Sequence, residues 1–172
     1  MSKPSQPPLH QRIRAAMTLQ RTAALTAVIC VALTLLGAFF TPTEYQLIAA
    51  VVGLALSTIT VFAFRLPLAM AALFVLVWLG ATITAEAPYL TCVFLTPVFL
   101  AVVAFHERHA QTLGVGLILW IVGQFDPEAG SLVFNPASAF TWAMFIGVGA
   151  VIGATLAHSA RRYKNAMVEW ND

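Results

Sequence analysis

The sequence predicts an all-α, polytopic membrane protein: a bundle of six transmembrane helices with both termini in the cytoplasm. Three observations lead there. First, the 172 residues are 60% hydrophobic and only 9% charged, against roughly 25% charged residues in an ordinary soluble domain; mean hydropathy is +0.85. Second, the apolar residues fall into six uncharged runs separated by short polar turns, and a helix needs about 20 apolar residues to cross a bilayer core of about 30 Å. Third, the charges segregate. With six spans, one side of the membrane receives Lys3, Arg12, Arg14, Arg21, Arg65, Arg108, Arg161, Arg162 and Lys164, which is every Lys and Arg in the chain. The other side receives Glu44, Glu86, Asp126 and Glu128 and no base. The positive-inside rule assigns the basic side to the cytoplasm, with Arg65, Arg108, Arg161, Arg162 and Lys164 fixing the later turns. One span more or fewer would scramble the alternation. The resulting location is a bacterial plasma membrane, multi-pass, with the lipid bilayer as the first partner.

The elements follow in order. Residues 1–21 form a polar segment with Pro4, Pro7 and Pro8; its first dozen residues read as unstructured, and Ile13 to Leu19 as a short amphipathic helix running into span one. Span one is 22–40. No A-x-A-like site follows Phe40, so it reads as an uncleaved span rather than a signal peptide. Thr41-Pro42-Thr43-Glu44 turns the chain into span two, 45–64. Arg65-Leu66-Pro67 is a tight turn, because Pro67 suits the first turn of a helix and resists continuing the preceding one. Span three is 68–84, span four 89–105 with Pro97 at its middle, and span five 110–125. Residues 126–137 form the longest loop. Span six is 138–157, twenty uncharged residues, and 158–172 is a polar tail of helical character. Tyr45, Tyr89, Phe125, Trp142 and Tyr163 sit near span ends, where aromatic side chains favour the membrane interface. Long continuous apolar runs without period-two alternation exclude a transmembrane β-barrel.

The same survey limits the chemistry. No charge lies within the spans, so the intramembrane relay of a proton pump or coupled transporter is missing. His106-Glu107-Arg108-His109 is the densest titratable cluster, and His158 at the end of span six is placed to approach it. Two imidazoles three residues apart with one carboxylate make a poor zinc set, and the cluster reads first as a solvated cytoplasmic turn. All four histidines lie at the cytoplasmic side, away from the membrane depth at which b haem is held. There is no G-x-S-x-G and no P-loop. Cys30 and Cys92 lie within apolar runs and read as small buried hydrophobes. The net charge of +2 is too small for nucleic-acid binding. The expectation is a non-enzymatic protein with no cofactor, no metal and no nucleic-acid partner.

Span six carries the most specific pattern. Gly149, Gly153 and Ala157 recur every four residues on one helix face, and Ala143 and Gly147 form a second small-residue row. Small residues let helices approach closely in membranes, so these rows are expected to be contact faces, either inside the bundle or toward a partner subunit.

The exit of span six, Ala157-His158-Ser159-Ala160-Arg161-Arg162-Tyr163, together with the basic start and several short uncharged spans, resembles the N-terminal membrane region of actinobacterial sensor histidine kinases. That resemblance implies a sensor or input domain whose exit helix leads to a phosphoacceptor helix. His158 is followed by Ser159, not by the acidic residue of the phosphoacceptor pattern, so no kinase residue carries over. The topology is also similar to the substrate-binding S-components of energy-coupling-factor vitamin transporters, which use a small-xxx-small face on the first span; Ala23 and Ala27 stand at that spacing. The leading expectation is an accessory or scaffolding subunit of a larger membrane complex, such as an actinobacterial respiratory supercomplex, a role that requires apolar helices, contact faces and short loops.

Overall fold

The computed structural model describes residues 9–84, 89–106, 109–126 and 130–169. Six helices follow one another: α1 (Leu9–Phe39), α2 (Gln46–Phe62), α3 (Pro67–Thr84), α4 (Tyr89–His106), α5 (His109–Val122) and α6 (Pro136–Glu169). Two short strands, β1 (Phe125–Asp126) and β2 (Ser131–Leu132), interrupt the helical order between α5 and α6. The six helices coincide with the six apolar runs. Two of them contain a stretch long and apolar enough to cross a membrane, Gln20–Phe39 in α1 and Pro136–Arg161 in α6. The helices α2 to α5 are apolar but shorter; α5, at 14 residues, spans only about 21 Å.

The turns explain why the runs separate. After α1, the Thr41 hydroxyl donates to Gly37 O at 2.8 Å and Gln46 Nε2 donates to Thr41 O at 3.2 Å, closing the chain tightly into α2. After α2, the Arg65 and Leu66 amides both bond to Phe62 O, and Pro67 then opens α3, where its missing N–H costs nothing. The loop before α6 is more structured than its polar sequence indicates. Strands β1 and β2 pair antiparallel, Phe125 opposite Leu132 and Asp126 opposite Ser131, and Gly130 takes a left-handed φ of 59° in the turn, a conformation that glycine adopts without a Cβ clash. Asn135 then caps α6: its Oδ1 accepts from the Ala137 amide at 3.0 Å, with Pro136 at the first helical position. At the other end of the chain, α1 begins at Leu9 rather than near Ile13, so residues 9–12, expected to be unstructured, are helical. Nothing between Leu9 and span one breaks a helix, since Pro8 is the last proline of the segment.

The centre of the bundle is α4, which packs against all five other helices, most extensively α6. Cys92, Leu95, Thr91, Thr96, Phe99, Leu100 and Val103 of α4 are all fully buried. Pro97 stands in the middle of this helix and removes one backbone hydrogen bond; the neighbouring Thr96 hydroxyl donates to Cys92 O at 2.7 Å. A chain of rings crosses the core: Phe99 stacks on Phe74 with centroids 4.3 Å apart, Phe74 meets Trp78 edge-on, and Trp78 lies 4.9 Å from Trp142. Trp142 is therefore a core residue, 6% exposed, and not the interfacial aromatic its position near a span end implied. Room for its indole comes from Gly123, where a Cβ would stand 2.8 Å from the ring.

Helix α1 buries Thr26, Cys30, Thr34 and Gly37, a stripe at helical spacing made of small and weakly polar residues. It meets α2 and α4 at very close range. A Cβ on Gly37 would stand 2.6 Å from Thr91 Oγ1, and one on Gly53 would stand 2.6 Å from Thr91 Cγ2. The Thr34 and Ser57 hydroxyls share a hydrogen bond of 3.0 Å across this contact. Ala23 and Ala27 flank the stripe and are half-buried. Cys30 and Cys92 are free thiols in the core.

Candidate functional site

Three histidines and one arginine converge at one end of the bundle. There α4 ends at His106, α5 begins at His109, and α6 passes from apolar residues into His158 and Arg161. Between them lies a half-open cleft of about 540 Å³, lined by Ala104, His106, His109, Ala154, Thr155, Ala157, His158 and Arg161. Its origin is the small-residue row of α6. Gly149 and Gly153 bring α6 onto the backbone of α4: a Cβ at Gly149 would stand 2.8 Å from Pro97 Cα, and one at Gly153 would stand 2.7 Å from Ala104 Cβ while colliding with the Ala101 carbonyl. One turn further on, Ala104, Ala154 and Ala157 are too short to fill the space between the helices, and the cleft opens.

His106 is the most constrained of the four charged or chargeable linings. Its Nδ1 lies 3.1 Å from Val102 O, and a carbonyl only accepts, so Nδ1 carries the proton and donates. The ring meets Phe64 edge-on at 5.4 Å and Phe105 at 4.9 Å. With Nδ1 engaged, Nε2 is the nitrogen left for a ligand. In the neutral ring it accepts; in the doubly protonated ring it donates. His106, His109, His158 and Arg161 are all exposed. The Thr155 hydroxyl is turned back to Val151 O at 2.7 Å, which satisfies it within its own helix. Among the described residues no three His, Cys, Asp or Glu side chains are arranged to hold a metal ion. What the cleft does offer is one permanent cation, three imidazoles and three alanines. A guanidinium presents a planar fork of donors that matches carboxylate and phosphate oxygens.

The residues singled out from the sequence divide into three groups. Gly149, Gly153 and Ala157 are buried and, through the two glycines, closed against α4 of the same chain; of the two uses the sequence left open for this row, it is the contact inside the bundle. Ala143 and Gly147 are exposed, and a Cβ on Gly147 would meet nothing within 4 Å. The basic residues Arg65 and Arg161 are exposed. Arg162 and Lys164 lie on the α6 backbone, and their side chains are outside the described set. Arg108, with Glu107, Glu86 and Glu128, lies outside the described residues. The sequence brought His106, His109 and His158 together in outline. It missed the junction of Thr34, Ser57 and Thr91, whose signal was the recurrence of Thr26, Cys30 and Thr34 at four-residue steps. No family model, curated protein or solved structure matches the chain.

Proposed function

We propose that the chain is a non-enzymatic, six-span protein of the bacterial plasma membrane that serves as an accessory or scaffolding subunit of a larger membrane assembly. The membrane reading draws support from what the helices turn outward. Exposed positions include Leu25, Val28, Leu35 and Phe39 on α1; Leu47, Val51, Leu54 and Phe62 on α2; Leu76 and Ile83 on α3; Leu113, Leu117 and Ile118 on α5; and Phe140, Met144, Val148, Val151, Ile152 and Leu156 on α6. Apolar surface on this scale marks contact with lipid or with other proteins. The shorter helices α2 to α5 are accommodated by local thinning of the bilayer, at a fraction of a kcal/mol per Å of mismatch.

The observation that carries the subunit reading is the outward row of α6. With Gly149 and Gly153 closed onto α4, the exposed Ala143 and Gly147 form a notch flanked by Phe140, Met144, Val148 and Val151. Such a notch lets a second helix approach its backbone. The test is purification of the full chain in a mild detergent, followed by native mass measurement. A stoichiometric membrane partner retained by the wild type and lost in Gly147→Leu supports the reading. A chain that always runs alone overturns it.

A second reading, a sensor input domain, is favoured by a different feature. Helix α6 continues without a break from its apolar stretch to Glu169, giving 158–169 a helical arm of about 18 Å beyond the apolar part. An unbroken helix transmits displacement to whatever it meets. Truncation after Ala160 should then release a cytosolic partner while leaving the membrane partners bound; equal loss of both, or of neither, counts against this reading.

A further inference from the structure

We propose that the cleft between the ends of α4, α5 and α6 is a binding site for a phosphate-bearing anionic group at the cytoplasmic face. Three features on the same cavity point there. The one formal charge among the described lining residues is positive, that of Arg161, which stands with His106, His109 and His158 and with no Asp or Glu. The chemistry is graded, because the lining residues Ala104 and Ala157 are buried and Ala154 half-buried, while His158 and Arg161 are exposed. The cleft also continues an exposed apolar stripe of α6, since Val148 and Val151 are exposed and stand at helical spacing below the lining residues Thr155 and His158. A headgroup phosphate held by the exposed His158 and Arg161 with acyl chains along that stripe matches all three. A soluble phosphate uses the exposed polar groups alone.

Arg161 supplies the fixed charge and a two-pronged set of donors for phosphate oxygens. His158, one turn earlier on the same helix, stands on the same side of α6, because residues three apart are neighbours on a helix surface. His106 lines the cleft from α4, its ring held in place by the Nδ1–H bond to Val102 O. His109 closes the cleft from α5. Basic pockets between helices on the cytoplasmic side are the physical form that recognition of anionic lipid headgroups takes.

The lipid source rests on the membrane reading given above; the phosphate source does not. The full chain is reconstituted in nanodiscs of phosphatidylcholine with or without phosphatidylglycerol, and retained lipid is read by native mass spectrometry. In parallel, the chain in a neutral detergent without lipid is titrated with inorganic phosphate, and thermal stabilisation is read. Arg161→Gln, His158→Gln and, as a basic residue outside the cleft, Arg65→Gln are compared, with helicity checked for each. Preferential retention of phosphatidylglycerol, reduced about fivefold by Arg161→Gln, reduced by His158→Gln and unchanged by Arg65→Gln, identifies a lipid headgroup. Stabilisation by inorganic phosphate with the same variant pattern and no lipid preference identifies a soluble source. Binding of neither probe, or equal losses in Arg161→Gln and Arg65→Gln, overturns the proposal. A chain that fails to enter nanodiscs yet responds to phosphate through Arg161 separates failure of the membrane reading from failure of the site.

Discussion

At the scale of single residues, the core is most exposed to test at Thr91. Its hydroxyl is buried and finds no hydrogen-bond partner among the described residues, although it lies where α1, α2 and α4 meet. Thr34 and Ser57, in the same junction, satisfy each other at 3.0 Å. A buried polar group without a partner bears its desolvation cost, whereas breaking a made pair orphans the survivor. The two threonines should therefore respond to the same change with opposite signs. Thr91→Val keeps the shape and removes the unpaired hydroxyl, so the thermal midpoint in detergent should hold or rise. Thr34→Val removes a partner from Ser57 and should lose about 0.5–1 kcal/mol. A loss in Thr91→Val as large as in Thr34→Val would show that the Thr91 hydroxyl has a partner. This junction was only half-legible in the sequence. A row of Thr and Cys at helical spacing announces a face, but threonine hydroxyls also turn back onto their own helices, as at Thr58, Thr60, Thr96 and Thr141. Which threonine reaches across depends on close approach at Gly37 and Gly53, which no local pattern encodes.

At the scale of elements, α6 carries two rows of small residues with separate uses, and substitutions should separate them. Gly153 faces the Ala101 carbonyl and the Ala104 side chain. Backbone cannot rotate away, so Gly153→Leu forces the helices apart. Overpacking of this kind costs about 1–3 kcal/mol and removes the approach that floors the cleft. Gly147→Leu points into open space and should leave the thermal midpoint within about 0.5 kcal/mol of wild type. Measured side by side in one detergent, a destabilised Gly147→Leu would place that row inside a contact, and an unaffected Gly153→Leu would remove α4 as its partner. The periodicity of both rows was plain in the sequence. What it left open was which row the chain uses for itself. That choice is made by α4, whose small Ala101 and Ala104 stand opposite Gly153, and whose Pro97 backbone stands opposite Gly149. The reading from sequence was centred on α6, yet the hub is α4. A central helix differs from its neighbours in how many helices it touches, and burial all round leaves an apolar run with no periodic signature.

At the scale of the whole molecule, helix number and order were legible because short turns and charge placement impose them independently of packing. Six apolar runs became six helices, and the small hairpin of β1 and β2 was invisible because two-residue strands leave no alternation to read. The lengths were less legible: turn chemistry at Gln46 and Pro67 sets where α2 and α3 start, and α5 runs for only 14 residues. The arrangement of charge makes a prediction that tests the membrane topology as a unit. Single cysteines introduced at Glu44 and Asn135, both exposed at connections on the acidic side, should react with a membrane-impermeant maleimide on intact cells. Cysteines introduced at His109 and Ser159, exposed at the basic end, should react only after permeabilisation. The native Cys30 and Cys92 are fully buried, which keeps the background low without removing them. All nine basic residues fall on one side under this topology, so the orientation has no weak turn that one substitution would flip. Inversion of the whole pattern would put both termini outside and the histidine cleft with them. A mixed pattern, with Glu44 and Asn135 on opposite sides, would mean that at least one of the short helices α2 to α5 lies along the membrane rather than through it. Such a helix would also move His109 relative to Ser159, and the cleft that draws on both α5 and α6 could then form only on one face of an incomplete bundle.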